Sequence, residues 1–549
     1  MPSRVEDQDF VVTVEGSVHL GERLTLDLVQ PPRDHLSSEP DYVEDSTLPP
    51  YERTPLLSPS ADRSNRADFV YALKPSGERL NMTDGGLTLQ YGVLGGPGSG
   101  KTNLLIYMLR QIIAHRADRR DVARFDPSRT FGGIILDPKA ALIKDVRKIF
   151  KEAGREDDLV VLNSRELARD GGINVIDCML APRDLAKILV LAAQSGGIGA
   201  RDPYWLQQMT SALGAIMTLF EVVEGKKPTL ADVISAAVGS VEVAGPKGPR
   251  REPALNKLIR AAEEKLQPAP GAVSDLSAAR NRLEELSRHA GADPKSRVTV
   301  EQFIEQAFGL FREPDFRWYS CPSASGASNL YDQIINDGKV VLVSPGAQEL
   351  TLSSILPALV KLIFQRTVLS RFDRYLNWEL HNRERPLLFL ADEYHNVATQ
   401  IEGERIGDSE YFSMARQAGG LCIVATQTVK QLQTSGLKET WEAVFGTLAA
   451  VIGMKVEDAD TIAYLQKRGG KKEVLQTTQG FSVAQGEVTI TDNSQWVEVP
   501  KIPEDALKQF RKGDAVVIGS ISGQDAAASI SYLKVPRAWP PPSTQAGGA

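Results

Sequence analysis

Cysteine is scarce in this chain. Cys178, Cys321 and Cys422 are the only three among 549 residues, and no CxxC pair occurs. Three isolated thiols build neither a zinc site nor a disulfide framework, and they suit a reducing cytoplasm. The six histidines, at 19, 35, 115, 289, 381 and 395, show no HExxH and no other metal-ligand spacing. An excess of positive charge is lacking too: 63 Lys and Arg stand against 70 Asp and Glu, a net charge of −7 with a pI near 5.6. A protein that wraps DNA over its whole surface is usually basic, so contact with nucleic acid is expected only at a few loops, such as those lining a channel. Long apolar runs are missing as well. The best, 188–193, is too short for a membrane span and sits beside charges. The N-terminus, MPSRVEDQDF, lacks the apolar core of a signal peptide. A cytoplasmic protein is expected.

The length suggests roughly three to four domains. Residues 1–30 contain FVVTVEGSVHLGERLTLDLVQ, whose alternation around a Gly predicts a small β hairpin. Residues 31–66 are dominated by Pro, Ser and charge and read as an extended linker. From 67 to 200, short apolar runs (LTLQYGVL, GGIIL, LVVL) alternate with helical periodicity. This pattern predicts an α/β fold with a parallel sheet covered on both faces. Between 201 and 330 the apolar residues recur at helical spacing only, so an all-α insertion is expected. Strand-type runs resume from 331 to 535 (KVVLVS, PLLFLA, GLCIVA, AVVIG), and 536–549 reads as a mobile tail.

Residues 95–102, Gly95-Gly96-Pro97-Gly98-Ser99-Gly100-Lys101-Thr102, fit G-x-x-x-x-G-K-[ST] between a predicted strand and a predicted helix that Asn103 continues. Glycines let the backbone curl so that successive N–H groups and the helix N-terminus face a phosphate chain. In such a loop Lys101 reaches the β- and γ-phosphates of ATP and the Thr102 hydroxyl ligates Mg2+. The bland reading is a Gly-rich turn. An apolar run ending in Asp392-Glu393 supplies the complementary acids, with Asp392 on the metal and Glu393 polarising the attacking water. Solvated acids at a strand end are the rival reading. Gln427 closes the next strand beside Thr426, where it could sense the γ-phosphate or merely cap the strand. Arg416 is a candidate arginine finger acting on a neighbouring subunit, or a surface ion-pair partner. His395 lies close by and is expected to hold a structural hydrogen bond. The turn Asp137-Pro138-Lys139 reads equally as a nucleotide or pore contact and as a plain strand end.

With these residues the chain resembles the HerA–FtsK superfamily and, within it, TraG/TraD-type coupling proteins of conjugation and type IV secretion. The resemblance runs from about residue 92 to 523. It includes the glycine loop, Ile134-Ile135-Leu136-Asp137-Pro138-Lys139, Ile173 to Asp177, Tyr204-Trp205, Ala391-Asp392-Glu393-Tyr394, Arg416 with Ala425-Thr426-Gln427, VFGTLAAVIGMKVEDADTIAYLQKRGG and FRKGDAVVIG. It implies a RecA-like ATPase core with the inserted all-α domain, a homo-hexameric ring, and movement of DNA through its pore. Relaxase or secretion-channel proteins are the implied partners. Such proteins normally begin with transmembrane helices. Here the N-terminus reads otherwise, which leaves two expectations: a soluble relative serving a mobile element, or a protein that reaches the inner membrane through a partner. Two other readings remain: an ATP-switched adaptor that recruits protein cargo, and a remodelling ATPase that touches no DNA.

Overall fold

The computed structural model describes residues 18–29, 70–82, 84–115, 130–198, 202–243, 250–266, 277–291, 294–323, 328–346, 350–374, 385–400, 407–484, 487–521 and 529–539. In chain order the strands are β1 (Val18–Val29), β2 (Val70–Met82), β3 (Gln90–Leu94), β4 (Gly132–Leu136), β5 (Leu159–Leu162), β6 (Ser240–Val243) and β7 (Arg250–Pro253). They continue as β8 (Val340–Val343), β9 (Leu387–Ala391), β10 (Gly420–Thr426), β11 (Ala450–Gly453), β12 (Lys471–Ala484), β13 (Glu487–Pro500), β14 (Asp514–Gly519) and β15 (Ile530–Lys534). The main sheet has the order β2-β1-β15-β14-β11-β3-β10-β9-β4-β8-β5. From β5 to β11 every neighbouring pair is parallel, whereas β14, β15, β1 and β2 add on antiparallel.

The short apolar runs become buried strands because helices cover both faces. Along β4, Ile134 and Leu136 pack into one core and Ile135 into the other. The same alternation divides Phe389 from Leu388 and Leu390 on β9. One core holds the helix Lys101–Ala114, and the other holds the helices Pro182–Ser195 and Leu350–Leu369. The fold is an α/β, RecA-like core with an inserted helical region.

That region contains the helices Pro203–Glu224, Leu230–Val238, Ala254–Lys265, Ser277–Ala290 and Pro294–Phe308. It is not wholly helical, since β6 and β7 form a short antiparallel pair within it. Of the hairpin expected within residues 1–30, the first part lies outside the described residues, and residues 18–29 form one strand. β1 pairs with β2 on the far side of the 31–66 segment and with β15 near the C-terminus, and so belongs to the main sheet. Residues 1–17 and 31–66 lie outside the described residues.

Two further expectations change. The helix Leu350–Leu369 carries a stretch, Leu352–Leu369, long and apolar enough to cross a membrane by composition, where no such run is expected. It is mostly buried against the sheet, with Lys361 in its middle, so its apolarity serves the core. The tail begins with fixed residues. Asn103 clamps it through Nδ2 to Pro536 O (2.7 Å) and Ala538 N to Oδ1 (2.9 Å), and Trp539 Nε1 donates to Asp145 Oδ1 (2.7 Å). Residues 540–549 lie outside the described residues.

Candidate nucleotide-binding site

The sheet order places three strand ends side by side. β10 lies between β3, which feeds the glycine loop, and β9, which ends at Asp392. Segments remote in sequence thus meet at the carboxyl edge of the sheet, where open α/β folds bind ligands.

After Leu94 the chain turns through Gly95 and Gly96, and Gly96 N donates to Lys455 O (2.8 Å) on the loop that follows β11. Gly98 and Gly100 have φ of 74° and 106°, the left-handed region that favours glycine, and Gly100 caps the helix Lys101–Ala114. Pro97 and Gly98 are exposed at the loop tip. The buried Ser99 hydroxyl has no hydrogen-bond partner among the described residues, and its backbone carbonyl accepts from Gly513 N (2.9 Å). Lys101 is buried, and its Nζ donates to Gly95 O (2.5 Å) and Gly96 O (3.2 Å). Burial lowers its pKa, opposed by the nearby charges of Glu393 and Asp392. A curled loop with a helix N-terminus, an orphaned hydroxyl and an ammonium turned onto its carbonyls fits a phosphate chain.

The Thr102 hydroxyl donates to Asp392 Oδ2 at 3.3 Å. Two oxygens at this separation, one from a hydroxyl and one from a carboxylate, are hard ligands suited to Mg2+. Burial raises the Asp392 pKa, and the charge of Glu393 raises it further, while the Glu393 N–H, donating to Oδ1 (3.0 Å), works in the other direction. A divalent cation beside Thr102 would reverse this penalty.

Glu393 stands with φ 52° and ψ 47°, a left-handed conformation unusual for a side-chain-bearing residue. Its carboxylate accepts from Lys139 Nζ at 2.8 Å and from Gln427 Nε2 at 3.0 and 3.1 Å. Burial alone would raise its pKa, but the bonds from Lys139 and Gln427 outweigh it and hold the carboxyl below the usual range. His395 Nε2 lies 3.6 Å from Glu393 Oε2, and its Nδ1 is 3.1 Å from Thr426 Oγ1. Burial lowers the His395 pKa, so the ring is neutral near pH 7 and acts through hydrogen bonding.

The contacts therefore gather Lys101, Thr102, Asp392, Glu393 and Gln427 at one edge. Asn103 is turned away, engaged on the C-terminal strap. Arg416 is exposed in the turn after the helix Asp408–Met414, on the protein surface. Lys139 is the residue whose place the sequence left open. Its signal was topological: β4 pairs directly with β9, so the turn after Leu136 must meet the acids after Ala391. Asp137 in that turn is structural, accepting from Ala141 N (3.1 Å) and Leu142 N (2.7 Å).

Residues 386–512, from the edge of β9 through β13 and beyond, match the family model described as the TraM recognition site of TraD and TraG. Over that stretch the chain is TraD/TraG-like. No curated protein matches it in sequence. The bacterial conjugative coupling protein TrwBdeltaN70, in its unbound monoclinic form, superposes with a TM-score of 0.50 at 14% identity, over 83% of this chain and 86% of that one. At that identity the likeness is one of fold. TrwB in complex with ADP and Mg2+ (TM-score 0.47, 15% identity, 83% and 86% covered) and VirB4 of Thermoanaerobacter pseudethanolicus (TM-score 0.39, 12% identity, 81% and 89% covered) align less closely.

Proposed function

We propose that this TraD/TraG-like chain is an ATP-hydrolysing motor subunit that moves DNA, or delivers a DNA–protein substrate, in conjugation or type IV secretion. The observation that carries the reading is the meeting of Thr102, Asp392, Glu393 and Gln427 across 290 or more positions of sequence around the mouth of the glycine loop. The loop N–H groups and Lys101 hold the β- and γ-phosphates of ATP. Thr102 and Asp392 hold Mg2+, which neutralises phosphate charge when bound. Glu393, kept ionised by Lys139 and Gln427, accepts a proton from the attacking water. Gln427 bonds both oxygens of that base and so reports its state to β10.

Arg416, exposed on the surface, is suited to complete the site of a neighbouring subunit in a homo-hexameric ring. DNA contacts at the ring would be sequence-independent and would weaken with salt. The test is ATPase activity with and without double- and single-stranded DNA across a salt series, beside particle mass with ATP present. DNA stimulation that fades with salt, on a particle several subunits in mass, supports the motor; indifference to DNA contradicts it.

A second reading, an ATP-switched adaptor for protein cargo, has one observation in its favour. The matched segment 386–512 is described by recognition of a protein, TraM, in TraD and TraG. Stimulation by a protein partner alone would select it.

A further inference from the structure

Glu393 is one of three non-glycine residues with positive φ among the described residues. Such a backbone persists only where its surroundings over-determine it. The next residue, Tyr394, is fully buried, and its hydroxyl donates to Asp408 Oδ2 at 2.7 Å. Asp408 opens the helix Asp408–Met414 and is itself fully buried.

Its carboxylate accepts four more bonds. Lys361 Nζ reaches both oxygens (2.7 and 2.8 Å), Gln365 Nε2 reaches Oδ1 (2.8 Å), and Thr399 N reaches Oδ2 (2.9 Å). Lys361 also donates to Thr399 Oγ1 at 2.8 Å. Lys361 and Gln365 are one turn apart on the helix Leu350–Leu369. Three elements thus converge on one carboxylate: this long helix, the turn after β9, and the helix Asp408–Met414. A buried ion pair is a weak source of net stability, because desolvation offsets the attraction between the charges. What the directional bonds from Lys361, Thr399 and Tyr394 supply is geometry.

We infer that the Lys361–Asp408 pair is a positioning device, which through the Tyr394 hydroxyl locks the turn after β9 so that Glu393 keeps its left-handed backbone and its aim at Gln427 and Lys139. Lys361, Asp408 and Tyr394 are positioning residues; the proton goes to Glu393. The inference rests on the reading of Glu393 as the base.

The test uses the full chain. Tyr394→Phe removes one hydroxyl and keeps the ring. Its kcat is expected to fall about tenfold, a cost of the size of one hydrogen bond to a charged group, with KM and nucleotide affinity within about twofold of the parent. Gln365→Met strips a bond from Asp408 without touching the Tyr394 hydroxyl and is expected to keep kcat. An unchanged kcat in folded Tyr394→Phe overturns the inference. So does an equal fall in both variants that follows thermal stability, which would mark a purely structural cluster.

Should Tyr394→Phe fail to fold, Thr399→Val loosens Lys361 while leaving the Thr399 N–H on Asp408. It is expected to lower kcat several-fold, and an unchanged kcat there overturns the inference equally. Glu393→Gln run in parallel separates the two layers. Turnover surviving in Glu393→Gln removes the base assignment itself, whereas turnover lost there but normal in Tyr394→Phe removes only the positioning role.

Discussion

The Thr102 hydroxyl and the Asp392 carboxylate lie 290 positions apart in sequence and 3.3 Å apart in the fold. A metal held between them gives Asp392→Asn two opposite effects. The Mg2+ concentration for half-maximal activity should rise at least about tenfold, as for loss of a ligand contact. Without nucleotide, the variant should unfold at a higher temperature than the parent at neutral pH. The sign follows from the raised pKa: a carboxyl penalised when ionised contributes most stability below its unfolded pKa, and that contribution is lost as pH rises through the folded one. Asn carries no such penalty. Thermal melts at pH 7, with and without Mg2+ and nucleotide, check both effects.

Lys139 holds the Glu393 carboxyl in its ionised form. Its removal in Lys139→Met leaves burial, the largest influence on that carboxyl, with less to oppose it, so the Glu393 pKa rises. The acidic limb of the kcat/KM profile, which reports the free enzyme, should therefore move to higher pH. A profile that stays in place would detach Lys139 from the base.

Arg416 is exposed, and the action on a neighbour proposed for it can be tested by mixing subunits. Arg416→Ala and Lys101→Ala should each be nearly inactive alone, the second because it hardly binds ATP. A mixture should recover activity, since some boundaries then join an intact loop to an intact arginine. Absence of recovery in mixed assemblies would return Arg416 to the role of a surface ion-pair residue.

Trp539 anchors the C-terminal strap, with Lys148 Nζ 3.7 Å from its ring centre and Arg110 at 4.7 Å. Trp539→Ala should lower unfolding stability by about 1–3 kcal/mol, the range for losing a partly buried aromatic with its cation contacts. Denaturant titration checks it.

The buried strands of the core were legible because each is a short apolar run between breakers, and the predicted run at 132–136 coincides with β4 (Gly132–Leu136). The glycine loop and the Asp392-Glu393 pair were legible because their chemistry is local. The β12–β13 ribbon was not. Its strands carry Lys, Gln, Thr and Glu between apolar residues, and Leu475 pairs in register with Trp496 while both are exposed, so no core face marks the sequence. Pairing of β1 with β15 joins the two ends of the chain, which no local pattern reveals. Lys361 was hidden for the opposite reason. It is one of only two charges, with Arg366, in an apolar helix, and its partner Asp408 is 47 positions away.

The most direct measurement is Mg·ATP turnover by Glu393→Gln set beside its affinity for the nucleotide. Affinity should stay close to the parent value while turnover falls by about a hundredfold or more, the usual contribution of a general base. Parent-like turnover in a variant that binds ATP normally would contradict the account.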